Sequence, residues 1–413
     1  MTPFTLLFLA ALALTLAMRL WLAWRHVKHI RAHRERVPAE FAAQIGLEAH
    51  RKAADYTIAK TRLGIAHALL ESALLLAFTL GGGLEALNTA VAGLPGGALW
   101  QGTALVLAVF LIIAAAELPL GFYHTFVIDE RFGFNKTSLR LFLADLAKQA
   151  ALGAALGIPL LLGVLWLMGR MGENWWLYVW LAWMAFNLLM LALYPTLIAP
   201  LFNKFVPLDD ASLKERIEKL LAECRFQARG LFVMDGSRRT THGNAYFTGF
   251  GKARRIVFFD TLLARLDHDE IVAVLAHELG HFRHRHIVKR IALIFFMSLA
   301  GLWLLGWLME QAWFFAGLGV ATPGTAMALV LFLLVSPVFT FPLQPLASYH
   351  SRRHEFEADR YAARHADAAA LTRALVKLYN DNAATLTPDP LHSVFYDSHP
   401  PAAIRIARLT KVN

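Results

Sequence analysis

Long apolar runs dominate the chain and alternate with shorter polar segments. A helix needs about 20 apolar residues to cross a bilayer, and seven runs approach or exceed this length. They cover residues 3–24, 63–81, 99–122, 146–168, 175–198, 291–308 and 325–341. The pattern predicts a mainly α-helical, multi-pass membrane protein. Because the first run lacks a basic n-region and a small-residue cleavage site, we expect it to remain as an anchor.

The composition agrees with a membrane protein. Hydrophobic residues make up 57% of the 413 positions and charged residues only 17%, which is too apolar for an ordinary soluble domain. The length leaves room for a membrane core and one compact domain. Cys224 is the single cysteine, so an intramolecular disulfide and a cysteine-based metal site are both excluded.

The distribution of basic residues predicts the orientation in the membrane. Segments 25–62, 200–289 and 344–413 are rich in Lys and Arg, whereas 83–98 and 310–324 contain none. With seven spans, this alternation puts the N-terminus outside and the histidine-rich region in the cytoplasm, in a bacterial inner membrane or an endoplasmic reticulum-type membrane. The formal charge of +10 thus predicts contact with membrane lipid and no nucleic acid partner.

Two acidic residues, Glu71 and Glu117, lie inside predicted spans. Ionisable groups at such positions normally face a bundle interior or a water-filled cavity. The alternative is a place near a helix end, from which the carboxylate reaches the interface. The sequence leaves both interpretations open.

The stretch VLAHELGHFRHRH, residues 274–286, concentrates four histidines just before an apolar run. Asp267 and Glu270 have the spacing of a capping box and predict the start of its helix. His277 and His281 are four residues apart and share one helix face, as two zinc ligands would, while Glu278 points about 100° away and can reach a water on the metal. A chance histidine pair on a surface helix is the alternative, and the apolar preceding residues argue against it.

A catalytic zinc site needs a third protein ligand. In SRRHEFEADRYAARHA, which begins at Ser351, Glu355 and Asp359 share one face of a predicted helix. We predict Glu355 as the third ligand of one Zn²⁺ and Asp359 as the acceptor that orients a ligand imidazole. A charged, solvated helix face remains the alternative from spacing alone.

The chain resembles the type I CAAX prenyl proteases, integral-membrane zinc metallopeptidases of the gluzincin group. The resemblance covers most of the chain and rests on several long, family-specific motifs. They are AKTRLG, VIDERFGFNKTS, YPTLIAPLFNKFVPL, DGSRRTTHGNAYFTGF, RIVFFDTLL, AHELGH, SRRHEFEADRYA and DPLHSVFYDSHPP.

The resemblance implies seven transmembrane helices enclosing a chamber, with a cytoplasmic, zincin-like α+β catalytic domain that carries a small sheet. It also implies that His277, His281 and Glu355 bind zinc and that Glu278 is the catalytic base. We expect transmembrane helices 1–5 and their loops in 1–198, the first part of the catalytic domain in 199–288, helices 6 and 7 in 289–345, and the second catalytic part in 346–413.

Further site residues also follow from the resemblance. Asn244, with the adjacent Ala245 and Tyr246, matches an edge strand beside the cleft, where an extended peptide substrate finds unpaired backbone groups. His399 and Arg405 match positions near the metal, where they are expected to stabilise an oxyanion. A turn role for Asn244 and a loop role for His399 are the alternatives.

The expected activity is removal of the last three residues of a prenylated CAAX sequence, with a peptide or protein as substrate. A membrane quality-control endopeptidase of broad specificity is the first alternative. A non-catalytic membrane scaffold or transporter with structural zinc is the second, but structural zinc usually has four protein ligands and would leave Glu278 without a role.

Overall fold

A computed structural model of the chain describes residues 1–248 and 255–411. Within these residues, seven helical segments are long and apolar enough to cross a membrane. They are Pro3–His33, Leu47–Phe78, Gly97–Asp129, Leu139–Arg170, Gly172–Phe202, His286–Met309 and Thr325–His365. The predicted mainly helical, multi-pass fold class is confirmed.

The helices extend well beyond the apolar runs of the sequence. A helix satisfies its own backbone hydrogen bonds, so it does not have to end where the apolar residues end. The helices are α1 (Pro3–His33), α2 (Leu47–Phe78), α3 (Gly83–Val91), α4 (Gly97–Tyr123), α5 (Leu139–Arg170), α6 (Trp175–Leu193), α7 (Ala199–Phe202), α8 (Ala211–Glu223), α9 (Asp260–Leu263), α10 (His268–Arg283), α11 (His286–Met309), α12 (Ala312–Gly317), α13 (Thr325–Thr340), α14 (Gln344–His365), α15 (Ala368–Asp381), α16 (Pro390–Tyr396) and α17 (Ala402–Leu409).

A small sheet lies between the fifth and sixth membrane segments of the sequence. Its strands are β1 (Phe205–Pro207), β2 (Gly230–Met234), β3 (Ala245–Thr248) and β4 (Arg255–Phe259), in the order β1-β2-β4-β3. β2 and β4 are parallel, and the other pairs are antiparallel. Among the described residues β3 pairs only with β4, so it forms an edge. The composition of TGFGKARR, residues 248–255, favours a turn between strands, and all of this stretch except its two end residues lies outside the described residues.

Separate hydrophobic cores stabilise the membrane helices and the region around the sheet. The first core contains Phe8, Val109 and Leu331, from three different membrane helices. The second is formed by α8, the sheet, α10 and α15, with fully buried side chains such as Ile217 and Phe258.

Cavities lie among the membrane helices. Glu71 and Glu117 both line one of about 300 Å³, and Arg19 donates to the Glu71 carboxylate at 2.6 Å. The interior position considered for these carboxylates is therefore the one they occupy. A second cavity of about 570 Å³, hereafter the inner cavity, lies between α1, α2 and the segment from α15 to the start of α17.

The last membrane helix does not end at residue 341, where its apolar run ends. A single 3₁₀ turn, Phe341–Leu343, joins α13 to α14, and the helical segment continues to His365. The predicted boundary between residues 345 and 346 therefore falls within α14. The four-part division of the chain stays a prediction.

Candidate metal centre

Helix α10 begins at the capping box that the sequence predicts. The Asp267 carboxylate accepts the Glu270 N–H at 2.9 Å, and the Glu270 carboxylate accepts the Asp267 N–H at 3.0 Å. Glu270 is fully buried, and Lys377 of α15 donates to it at 2.6 Å. The cap and this ion pair fix the start of α10 against α15, and thereby the position of the histidines on the following turns.

The close approach of α10 to α14 depends on a glycine. A Cβ atom added at Gly280 would lie 2.8 Å from the Ala358 Cα and 3.1 Å from its carbonyl oxygen. Because these are backbone atoms, a side chain at position 280 would push the helices apart. Gly280 therefore allows the α10 histidines to face the α14 carboxylates.

Three side chains with potential ligand atoms meet between these two helices. His277 Nε2 lies 3.2 Å from His281 Nε2 and 3.4 Å from Glu355 Oε2, and His281 Nε2 lies 3.2 Å from Glu355 Oε1. His277 and Glu355 are buried. Among the described residues, the buried Glu355 Oε2 has no hydrogen-bond partner. The sequence leaves open whether Glu355 faces solvent, and the structure brings it to the two histidines.

The arrangement suits a small metal ion. Ligand atoms about 2.0–2.2 Å from a tetrahedral ion lie about 3.3–3.6 Å from one another, close to the three separations found here. A buried carboxylate oxygen without a hydrogen bond is costly, and a cation beside it reduces that cost. Burial disfavours a protonated His277, but the adjacent Asp359 and Glu355 carboxylates prevail and raise its pKa to about 9. The site thus stabilises positive charge.

Asp359 holds the second nitrogen of His277. Its Oδ1 lies 2.9 Å from His277 Nδ1, which leaves Nε2 directed at the shared point. Arg405 donates to both Asp359 oxygens, at 2.6 and 2.9 Å, and its Nη1 lies 3.6 Å from Glu355 Oε2. All three side chains are buried. The positive charge of Arg405 therefore balances the negative charges of Asp359 and Glu355.

His281 has a different support. Its Nδ1 lies 3.0 Å from His286 Nδ1, and His286 Nε2 lies 3.0 Å from the Glu357 carboxylate. The Glu357 carboxylate can only accept a hydrogen bond, so the consistent tautomers are His286 with its proton on Nε2 and His281 with its proton on Nδ1. This chain of two hydrogen bonds leaves His281 Nε2 without a proton and available as a ligand.

Glu278 lies in a cleft of about 260 Å³ beside the ligand atoms. Its half-buried carboxylate has no hydrogen bond or ion pair with any other described residue. His277, Glu355 and Arg405 also line this space, which is hereafter called the cleft. Glu278 is thus available as a base.

His399 lies at the mouth of the cleft. The loop before α17 brings its Nε2 to 3.5 Å from Glu355 Oε1, while its side chain stays 63% exposed. Tyr379, Ala384 and His399 line both the cleft and the inner cavity. The two spaces therefore meet at His399.

The edge of β3 borders the cleft through Asn244 and Ala245. Phe259 N–H donates to the Asn244 carbonyl at 2.9 Å, so in the antiparallel pair the backbone of the next residue, Ala245, points away from β4. The Tyr246 side chain does not line the cleft. Successive side chains of a strand point to opposite faces, and the Tyr246 ring lies against Met234 and Phe259.

Several residues that shape the site carry a weak signal in the sequence. His286 follows the HExxH motif and Glu357 lies between Glu355 and Asp359, but only the fold shows that they contact each other. Asn382 accepts the Gly243 N–H at 3.2 Å and thereby fixes the loop before β3. Isolated polar residues of this kind have no fixed spacing from the motif.

Two family models together match nearly the whole chain. Residues 26–204 match the CAAX prenyl protease N-terminal model, described as five membrane helices, and residues 207–413 match Peptidase family M48. A CAAX prenyl protease 1 homolog of Caenorhabditis elegans is 33% identical over 439 residues, which cover 97% of each chain. A homolog of the same name from Arabidopsis thaliana is 39% identical over 70% of this chain and 69% of its own.

The fold is also that of a solved structure. The crystal structure of S. mikatae Ste24p matches with a TM-score of 0.92 and 30% sequence identity, and the match covers 99% of both chains. Models, relatives and structure agree with the resemblance found in the sequence motifs. The chain thus belongs to peptidase family M48, with the CAAX prenyl protease N-terminal membrane domain, and is a multi-pass membrane metallopeptidase that acts on peptides or proteins.

Proposed function

We propose that the protein is a zinc endopeptidase that removes the C-terminal three residues of prenylated CAAX substrates. The observation that carries the proposal is the meeting of three ligand atoms within 4.8 Å of one another beside an unpaired Glu278. His277, His281 and Glu355 would hold the ion. Two imidazoles and one carboxylate suit zinc, whereas Ca²⁺ and Mg²⁺ prefer oxygen ligands.

Glu278 is the general base of the proposed reaction. When bound, zinc supplies Lewis acidity, which polarises a carbonyl and lowers the pKa of water towards about 7. Glu278 accepts a proton as water attacks the scissile carbonyl carbon, and passes it to the amide nitrogen. The C–N bond breaks, the water oxygen stays on the new carboxylate, and the tripeptide leaves with a free amine.

Other residues of the cleft orient the substrate and stabilise charge. The half-buried Ala245 backbone on the edge of β3 points away from β4 and is suited to pairing with an extended peptide, with the Asn244 side chain, which accepts the Ala245 N–H at 2.8 Å, beside it. His399 can donate a hydrogen bond to the oxyanion that forms on the attacked carbonyl. Arg405 adds a positive charge below the ligands, while Asp359 keeps His277 in the ligating tautomer.

The names of the relatives and the cavities support the CAAX specificity. A prenyl chain needs an apolar environment and the hydrolysed bond needs water. The membrane helices offer the apolar environment, and the cleft, which opens to the inner cavity, offers water. The positive segments of the chain support a cytoplasmic catalytic domain and an outside N-terminus. Membrane lipid is the expected surrounding partner.

Glu278→Gln tests the mechanism. The variant should keep one metal ion per chain, because Glu278 is not a ligand, and should lose peptide hydrolysis by about 10²–10⁴-fold, as expected without a general base. Metal analysis of the purified protein and a cleavage assay measure the two effects. Glu215→Gln, on the exposed face of α8, is the matched control and should keep full activity. Retained turnover in Glu278→Gln would refute the assignment.

A peptide panel tests the specificity. Matched farnesylated and unmodified peptides are incubated with the enzyme, with and without a chelator, and mass spectrometry locates the cut. We expect chelator-sensitive release of a tripeptide from the farnesylated peptide. Equal rates on unmodified membrane peptides, with cuts at many positions, would instead favour the quality-control endopeptidase. No metal-dependent cleavage of any peptide would favour a scaffold or transporter.

A further inference from the structure

Lys60 faces the inner cavity from helix α2. It belongs to the motif AKTRLG and precedes by three residues the apolar run that begins at residue 63. The side chain is exposed and lines the inner cavity together with Thr57 and Thr61, which lie on neighbouring turns. A cationic side chain beside a membrane span usually pairs with an anion or serves a function.

No carboxylate pairs with Lys60 in the part of the chain that the structure describes. Its ammonium contacts the face of the Tyr56 ring, 4.1 Å from the centroid, and has no hydrogen bond or ion pair there. Arg19, the other strongly basic residue of the inner cavity, already donates to Glu71. The Asp129 carboxylate accepts the Tyr56 hydroxyl at 2.8 Å and forms no ion pair with Lys60. Lys60 is therefore the cation of this cavity that remains available to a ligand.

The inner cavity leads from Lys60 to the cleft. Tyr379, Ala384 and His399 line both spaces, so a peptide bound across the metal site can extend into the inner cavity. His242, just before Asn244, stacks on Tyr56 with the ring centroids 6.3 Å apart. Burial, and then the positive charge of Lys60, lower the pKa of His242. The charge of Lys60 thus acts on the loop that leads into the substrate-binding edge.

We propose that Lys60 binds the C-terminal carboxylate of the substrate, which becomes the carboxylate of the released tripeptide. This inference rests on the proposed function. Three extended residues span about 10 Å, so the carboxylate lies well beyond the scissile bond and needs a cation of its own. About 570 Å³ is within the range of small-ligand sites. Lys60 would thereby select the end of a chain and set the length of the released piece.

The test compares peptides with two kinds of C-terminus and enzymes with two different side chains at position 60. Matched farnesylated peptides end in a free carboxylate or a carboxamide, and kcat/KM for tripeptide release is measured for the wild type and Lys60→Met. The wild type should prefer the free acid on the order of tenfold, the size expected for a hydrogen bond to a charged group. Lys60→Met should lose this preference, because its kcat/KM should fall for the free-acid peptide and not for the carboxamide. Lys60→Arg should restore part of it.

Lys52→Met is the matched control, because Lys52 lies on the same helix outside the inner cavity and contacts Phe134. It should keep the preference for the acid. An equal loss on acid and amide in Lys60→Met, or a wild type that does not distinguish the two, overturns the proposal. Should Lys60→Met not fold, Lys60→Gln and the wild-type comparison still decide the question.

An anionic lipid headgroup could present the same negative charge to Lys60 as a peptide carboxylate. In that case the effect of Lys60→Met would follow the content of anionic lipid in nanodiscs and not the terminus of the peptide, which overturns the proposal. Release of the tripeptide at equal rates from acid and amide refutes the role of Lys60 alone. No release from either peptide refutes the proposed function itself.

Discussion

The two histidines of the HExxH motif have the same side chain but different supports. His277 contacts a carboxylate, Asp359, directly, and that carboxylate is neutralised by Arg405. His281 reaches the carboxylate of Glu357 only through the imidazole of His286. Each support fixes one tautomer and directs Nε2 to the ligand point. The roles of the histidines are therefore set by residues outside the motif.

The support of His281 can be tested at His286. His286→Leu removes the acceptor of the His281 Nδ1–H, and metal affinity should fall by about 10–100-fold. His286→Asn can offer a side-chain oxygen close to the position of Nδ1 and should retain more of the affinity. Competition with a chelator of known affinity measures both variants. Equal affinities of His286→Leu and the wild type would contradict the proposed chain.

Some residues of this site could be predicted from the sequence, and others could not. HExxH spacing within one helix fixes the relative positions of His277, Glu278 and His281, because the helix has a regular period. Glu355 lies far along the chain, and no local rule relates it to the motif. Spacing alone allowed Glu355 to be either a metal ligand or a solvated surface residue. The resemblance to the CAAX prenyl proteases favoured the ligand. The contact between His286 and Glu357 depends on packing of α10, α11 and α14, which the sequence does not encode locally.

At the scale of elements, the proposed metal site depends on the separation between α10 and α14. Gly280→Ala would place a Cβ 2.8 Å from the Ala358 Cα. Such overpacking should lower the free energy of unfolding by about 1–3 kcal/mol and weaken metal binding with it. Thermal unfolding in detergent and metal titration measure the two effects.

Gly153→Ala is the control for this substitution. Gly153 lies in α5, and nothing lies within 4 Å of an added Cβ there. Alanine has the higher helix propensity, so this variant should be as stable as the wild type or slightly more stable. If Gly280→Ala behaved in the same way, the close approach of α10 and α14 would not depend on Gly280.

A histidine stack joins helix α1 to α16. The His392 and His26 rings lie 3.8 Å apart and nearly parallel, near Arg25, His29 and Asp389. Burial lowers the pKa of His392 to about 4, against the opposing effect of Asp389. The neutral ring is thus favoured in the folded protein, so its stabilisation is complete above about pH 6.5 and is lost as the pH falls towards 4.

This linkage predicts acid destabilisation that a substitution removes. At pH 5, protonation of His392 in the unfolded chain should cost about 2 kcal/mol of stability relative to pH 7. His392→Phe keeps an aromatic ring but cannot be protonated, so its unfolding free energy should fall less between pH 7 and 5. Denaturation at both pH values measures the difference. The same pH dependence in both proteins would exclude His392 as its source.

The sequence predicted the existence of the membrane helices but not their ends. Apolar runs indicate which residues contact lipid, but α1 and α2 continue beyond them through polar residues such as Arg31 and Lys52. The capping box at Asp267 was predictable because it involves residues three apart. The orientation of Tyr246 was not, because a shift of one residue along a strand reverses the face.

At the scale of the whole molecule, cysteine labelling tests the predicted orientation in the membrane. A Cys224→Ser background allows single reporter cysteines to be placed by Glu215→Cys in α8 and by Ala92→Cys after α3, both at exposed positions. With the protein expressed in a bacterial inner membrane, a membrane-impermeant maleimide added to spheroplasts should label Ala92→Cys only, because the distribution of positive charge places α8 in the cytoplasm. After lysis the maleimide should label both cysteines. The reverse pattern in sealed membranes would show the opposite orientation.

The continuous helical segment Thr325–His365 connects the proposed ligand Glu355 directly to the lipid bilayer. His277 and His281 lie on a separate helix, α10, which a short turn joins to another membrane helix, α11, so the two histidines and Glu355 are connected to the bilayer through different helices. A change in bilayer thickness that tilts α13 should move Glu355 relative to the two histidines. Hydrolysis by this protein should therefore depend on the acyl-chain length of the lipids around it.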